Sequence, residues 1–183
     1  MASRKIAVIV GSLRKESFNC KVARTLMLLA GPELDMEIVE IGKLPLYNED
    51  DDANPPPVYT EFRDRIKGYD GVLFVTPEYN RSVPGCLKNA IDVGSRPYGH
   101  SAWSGKPAGV VTVSPGAVGG FGANHHLRQM LVFLNMPAMA QPEAYIGGVG
   151  KMFDGDTLSN DATRAFLQTF IDAYAAWVER HAD

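Results

Sequence analysis

Cysteine is scarce. Only Cys20 and Cys86 occur among 183 residues, far apart and without a C-x-x-C, which argues against a zinc site and a dithiol redox pair. Each is expected to be a small apolar residue near a helix start, and a disulfide between them is disfavoured in a reducing cytosol. Excess positive charge is lacking too. With 18 Lys and Arg against 21 Asp and Glu the net charge is −3, so there is no electrostatic footprint for nucleic acid. The apolar run Ile6–Val10 is far too short to span a membrane or to form the core of a secretion signal. A cytoplasmic protein with neither nucleic acid nor membrane as partner is expected. The loop after that run has neither the G-x-x-x-x-G-K-[ST] pattern of an ATP or GTP site nor the G-x-G-x-x-G of a dinucleotide site. Ser114 is followed by Pro115-Gly116, so the G-x-S-x-G elbow of a hydrolase is absent.

What is present is an alternation. Ile6–Val10 is uninterrupted and β-branched, as in a strand covered on both faces. Val22, Leu26, Leu29 and Ala30 follow at helical spacing, stopped by Gly31-Pro32. Met36–Ile41 reads as a second strand, Tyr59–Lys67 as a helix ended by Gly68, and Gly71–Thr76 as a third strand. Pro84 suits the first turn of a helix continuing to Asp92. Ala108–Val113 is a fourth strand; Leu127, Met130, Leu131 and Leu134 mark the next helix. A fifth strand falls within Ala138–Ile146, broken near Pro142, and a last helix spans about Ala162 to Val178 with a core stripe of Phe166, Phe170, Ala173 and Trp177. The length suits one domain covering residues 1–183. Five strands alternating with helices imply an α/β fold, an open parallel doubly wound sheet. Its ligands bind outside the carboxyl ends of the strands.

The loops at that edge carry the chemistry. Gly11-Ser12-Leu13-Arg14-Lys15-Glu16-Ser17-Phe18-Asn19 joins a buried strand to a helix N-terminus, where unpaired N–H groups and the helix dipole attract an anion. With one glycine and several hydroxyls it suits a terminal monophosphate such as that of FMN. Pro77-Glu78-Tyr79-Asn80 after the third strand and Ser114-Pro115-Gly116 after the fourth are placed to hold a flat ring, with backbone N–H groups for its polar edge. Glu78 and Asn80 either bond that edge or hold their own loop. Glu49-Asp50-Asp51-Asp52 is expected to be a solvated loop rather than a metal site. His125 and His126 are adjacent on a helix and point apart, so they make no metal pair.

These stretches carry a likeness. Gly11-Ser12-Leu13-Arg14 with Ser17 and Asn19, Thr76-Pro77-Glu78-Tyr79-Asn80, and Ser82-Val83-Pro84-Gly85 with Leu87–Asp92 together resemble the NADPH-dependent FMN reductase family, most closely its chromate and quinone reductases. The resemblance covers nearly the whole chain. It implies a flavodoxin-like three-layer sandwich, bound FMN, NADH or NADPH as donor, and small-molecule electron acceptors: quinones, metal oxyanions such as chromate, nitro or azo compounds. It also implies a homodimer or homotetramer. By position, Ser12, Arg14, Ser17, Phe18 and Asn19 would surround the phosphate; Pro77, Glu78, Tyr79 and Asn80 would line the ring, with Ser114 and Gly116 opposite. The expected reaction is a ping-pong hydride transfer through the flavin, with no catalytic acid or base from the protein. Arg81 and Arg96, with Asn80, are the candidates for an anionic acceptor. Gly122 and His125 stand where relatives can carry Arg and Tyr that support tetramer contacts with the residue matching Glu143, which leaves the tetramer open. The rival reading is a flavodoxin-like electron carrier or redox sensor with no substrate of its own.

Overall fold

The computed structural model describes residues 3–181. Five strands form one sheet: β1 (Arg4–Val10), β2 (Leu34–Ile38), β3 (Gly71–Thr76), β4 (Ala108–Val113) and β5 (Ala144–Ile146). Their order is β2-β1-β3-β4-β5, and every neighbouring pair is parallel. This is the flavodoxin-like doubly wound arrangement, with its switch point between β1 and β3. Strand side chains alternate between the two faces. Ile6, Val8 and Val10 join a core with Leu26, Leu167 and Phe170, residues of α1 (Phe18–Leu29) and α5 (Asp161–His181). Ala7 and Ile9 join the opposite core with Phe62, Leu87 and Leu127, residues of α2 (Pro57–Lys67), α3 (Gly85–Gly94) and α4 (Phe121–Phe133). Three layers result; β3 and β4 are buried on both faces, whereas the edge strand β2 exposes Asp35 and Glu37.

The elements follow the sequence pattern with four differences. β2 starts earlier and ends at Ile38 rather than Ile41, although the Val39 N–H still donates to the Val8 carbonyl at 3.0 Å. β5 is only three residues long; Ala138 reaches β4 through one isolated bridge to Ala108. Pro142 offers no N–H to extend the ladder between them. A hairpin of β6 (Phe153–Asp154) and β7 (Thr157–Leu158) follows, too short to leave a periodic signal. Finally, α5 buries Leu167, Phe170, Ile171, Tyr174 and Val178, while Phe166, Ala173 and Trp177 are only half-buried. Two apolar stripes one residue apart compete on this helix, and the sheet selects between them. Gly71 and Gly109 leave a slot on neighbouring strands, and Tyr174 fills it: a Cβ on Gly109 would lie 2.8 Å from its ring. Trp177 sits at the margin and donates to the Pro137 carbonyl at 2.8 Å.

The loop between β2 and α2 is folded rather than open. Asp52 accepts from the Tyr47 hydroxyl at 2.9 Å and faces the buried Arg63 at 3.8 Å. Asn89, buried on α3, takes the Tyr47 N–H and donates to the Leu44 and Pro45 carbonyls. The acidic stretch is therefore a turn tied to the helices. Cys20 and Cys86 are half-buried in the first turns of α1 and α3, and burial pushes both thiols up.

The Tyr174 hydroxyl is fully buried and has no hydrogen-bond partner among the described residues. Leaving a buried hydroxyl unpaired costs about 1–3 kcal/mol. Tyr174→Phe should therefore unfold at the same or higher urea concentration than the parent, whereas Gly109→Ala should lose about 1–3 kcal/mol through overpacking. Urea titration of both variants checks this.

Candidate active site

All five sheet strands end at one edge, and the loops after β1, β3 and β4 meet there. The first rests on a close approach. The Gly11 N–H donates to the Val75 carbonyl at 2.9 Å, and a Cβ on Gly11 would lie 2.2 Å from the Thr76 hydroxyl oxygen. Only glycine lets β1 leave the sheet so tightly against β3. The chain then opens: Ser12 is half-buried, and Leu13 to Glu16 are exposed. Among the described residues, the N–H groups of Ser12, Leu13 and Arg14 donate to no backbone carbonyl. Ser17 is the N-cap of α1, its hydroxyl accepting from the Cys20 N–H at a long 3.4 Å. No acidic side chain lies in the first turn, so the positive end of the helix dipole is not neutralised from within. Asn19 is buried, and its Oδ1 has no partner. Phe18 packs near Phe153 of the β6–β7 hairpin, ring centres 6.4 Å apart.

The loop after β3 is a two-residue hairpin. Tyr79 and Ser82 exchange both backbone hydrogen bonds at 2.9 Å, and Asn80 and Arg81 lie between them at φ 51° and 65°. Two successive left-handed residues define a type I′ turn, usually built from Asn-Gly; a non-glycine there costs about 1–2 kcal/mol. Pro77 is half-buried, while Tyr79 and Asn80 are exposed toward the edge. The Glu78 carboxylate is committed elsewhere. It accepts from the Ala123 N–H at 3.1 Å and sits 3.5 Å from the Arg81 guanidinium.

The loop after β4 folds on itself. The Ser114 hydroxyl accepts from the Gly116 N–H at 3.1 Å, and the Gly116 carbonyl accepts from Gly119 and Gly148. Gly116 is exposed, and Ser114 is half-buried. Beside this loop, Phe121, His125 and Tyr145 form an aromatic cluster at the head of α4. Burial, reinforced by the Glu143 carboxylate, pushes the Tyr145 phenol up to about 12. It stays protonated at neutral pH, and its oxygen lies 3.2 Å from His125 Nε2.

The structure thus brings Ser12, Arg14, Ser17 and Asn19 to one corner and Pro77, Tyr79, Asn80, Ser114 and Gly116 to the same edge. It does not bring Arg96 there. That residue follows the far end of α3, with its guanidinium 5.9 Å from the centre of the Tyr47 ring. Ten residues of helix, about 15 Å, separate it from the loop after β3 that carries Arg81. Sequence reasoning also passed over the joint between the two ring-facing loops. Ser82 Oγ lies 2.9 Å from His126 Nδ1, and a Cβ on Gly122 would lie 2.9 Å from Glu78 Oε2. One signal was available: the cap position before α4 is Gly120, not a Ser, Thr, Asp or Asn. A helix start without its own cap needs an acceptor from another loop.

Comparison with known proteins fits this geometry. Residues 4–151 match the family described as NADPH-dependent FMN reductase. A quinone reductase of Pseudomonas putida is 66% identical over 175 residues, covering 95% of this chain and 94% of the relative. A 2-hydroxy-1,4-benzoquinone reductase of a Burkholderia species is 49% identical, covering 95% and 96%. The solved structure of FerB, a flavoenzyme NAD(P)H:(acceptor) oxidoreductase from Paracoccus denitrificans, superposes with a TM-score of 0.92 at 43% identity, covering 98% of this chain and all of that one. The chain belongs to the NADPH-dependent FMN reductase family and is an oxidoreductase. Its cofactors are FMN and NAD(P)H.

The residues present fit FMN. A helix start with no carboxylate in its first turn and free loop N–H groups suit a phosphate, and the buried acceptor Asn19 Oδ1, which has no partner, suits a ribityl hydroxyl. The corner depends on the Gly11 approach. Gly11→Ala should lower stability by about 1–3 kcal/mol through the clash with Thr76, seen as an earlier urea midpoint.

Proposed function

We propose that this chain is an FMN-dependent NAD(P)H:quinone oxidoreductase. The observation that carries it is the open start of α1: the Ser12, Leu13 and Arg14 N–H groups before it meet no backbone carbonyl, and its Ser17 cap holds the Cys20 N–H only at a long 3.4 Å. Ser12, Ser17 and Asn19 would bind the phosphate end of FMN with the loop amides, and Arg14 would add charge. Pro77, Tyr79, Asn80, Ser114 and Gly116 would hold the ring between the loops after β3 and β4. Bound FMN would supply hydride chemistry, taking a hydride from NAD(P)H and delivering it to the acceptor in a ping-pong cycle. The protein would contribute position, and loop N–H groups at the ring edge would favour the negative charge of the reduced form. The relatives named for quinones support quinones as the main acceptor. Chromate, and nitro or azo compounds, are secondary candidates. For an anionic acceptor the nearby charge is Arg81, whose side chain is 82% exposed and only loosely paired with Glu78.

We also propose a homo-oligomer. A groove of about 590 Å³ between α3 and α4 is lined by Ile91, Met130 and Leu134. Val132, Phe133 and Tyr98 are about 80% exposed beside or within it. Lys88 and Asp92, paired at 2.7 Å on one helix, present both signs at its wall. A two-fold contact could exchange them between copies.

Two measurements test these readings. Purified protein should show a flavin spectrum that NADPH bleaches under nitrogen; Arg14→Ala and Asn19→Ala should each weaken FMN binding about tenfold, the scale of one charge-assisted or buried hydrogen bond. A colourless protein that ignores added FMN would remove the assignment. Phe133→Glu should shift the light-scattering mass to that of a monomer, and an unchanged mass argues against the groove as the contact.

A further inference from the structure

We propose that Glu78 is a positioning residue of the flavin site: from the loop after β3 it caps α4, and so sets the gap between the two loops that face each other across the ring. The inference rests on the FMN reading above and assigns the Glu78 side chain to α4 rather than to the ring. Ala123 is the third residue of α4, and its N–H is the donor that an N-cap side chain ordinarily takes. Gly120 occupies the cap position and has no side chain to offer. Glu78 Oε2 takes that N–H at 3.1 Å, and its side chain is only 15% exposed. Its negative charge also meets the positive end of the α4 dipole, which has no acidic residue in its first turn.

Three further contacts make this joint specific. The other carboxylate oxygen faces Arg81 at 3.5 Å, across the left-handed pair Asn80-Arg81. Ser82, closing the same hairpin, meets His126 one turn along α4 at 2.9 Å. Gly122 lies in the seam: a Cβ there would stand 2.9 Å from Glu78 Oε2 and 3.0 Å from the Arg81 carbonyl oxygen. The turn that presents Tyr79 and Asn80 is therefore pressed directly onto the helix that follows Ser114 and Gly116. A strained turn keeps one conformation only while its surroundings enforce it. Glu78 supplies that enforcement from one side of the seam, and the absence of a side chain at Gly122 permits it from the other.

The test uses the full chain titrated with FMN, with the visible circular dichroism of the bound flavin as the second readout. Glu78→Ala should raise the FMN Kd about tenfold and alter the dichroism, whereas Glu78→Gln, whose amide oxygen still accepts from Ala123, should stay within about threefold of the parent. Gly122→Ala keeps the carboxylate but displaces it, and should reproduce the altered dichroism of Glu78→Ala. If Glu78→Ala does not fold, the Gly122→Ala and Glu78→Gln pair decides the matter by the same readouts. Variants that lose thermal stability yet keep the parent Kd and spectrum would show a purely structural cap and overturn the proposal. A parent protein that takes up no FMN overturns the functional reading as well; a parent that binds it beside indifferent variants overturns this inference alone.

Discussion

Hydrogen-bond donors at the starts of helices govern the working edge of this molecule. A parallel sheet ends all its strands on one side, so every following helix begins there with unpaired N–H groups. The starts of α1, α2, α3 and α4 all lack an acidic residue in their first turn, and α1 and α4 are treated differently. α1 keeps a weak Ser17 cap and an open loop, which leaves its donors for an anion. α4 has no side-chain cap of its own and is completed by Glu78 from the neighbouring loop. The same shortage makes a binding corner in one place and a structural joint in the other.

That division gives the ring-facing loops their shape. The loop after β3 is held in a turn whose second position Arg81 would not adopt cheaply alone. The loop after β4 is folded against the Gly147–Gly148 segment beyond β5. Flavin chemistry asks little of protein acids and bases but much of position. An edge built from backbone groups on short, mutually braced loops answers that demand better than flexible charged side chains would.

Much of the fold was legible because buried parallel strands read as continuous apolar runs. Ile6–Val10, Gly71–Thr76 and Ala108–Val113 stand out for that reason, and all three are strands. Where two patterns competed, the sequence had no way to rank them. α5 carries two apolar stripes one residue apart; the slot above Gly71 and Gly109 admits Tyr174, and that choice depends on strands far away in the chain. The β6–β7 hairpin is two residues per strand and leaves no period to detect. Arg96 sits close to the ring loop in sequence, but it follows a ten-residue helix and lies over Tyr47.

By itself the sequence determined the layers, the edge at which ligands gather and the family, because strand periodicity and the spacing of the loop motifs are local properties. Tertiary structure decided which polar side chains are free and which are spent. Ser17, Asn19 and Glu78 look equally available as letters. Only packing shows that Asn19 Oδ1 is buried without a partner and that Glu78 belongs to a helix 45 residues away. A hydrogen bond joins groups by distance in space, and that distance is set by the whole sheet rather than by the residues beside either partner.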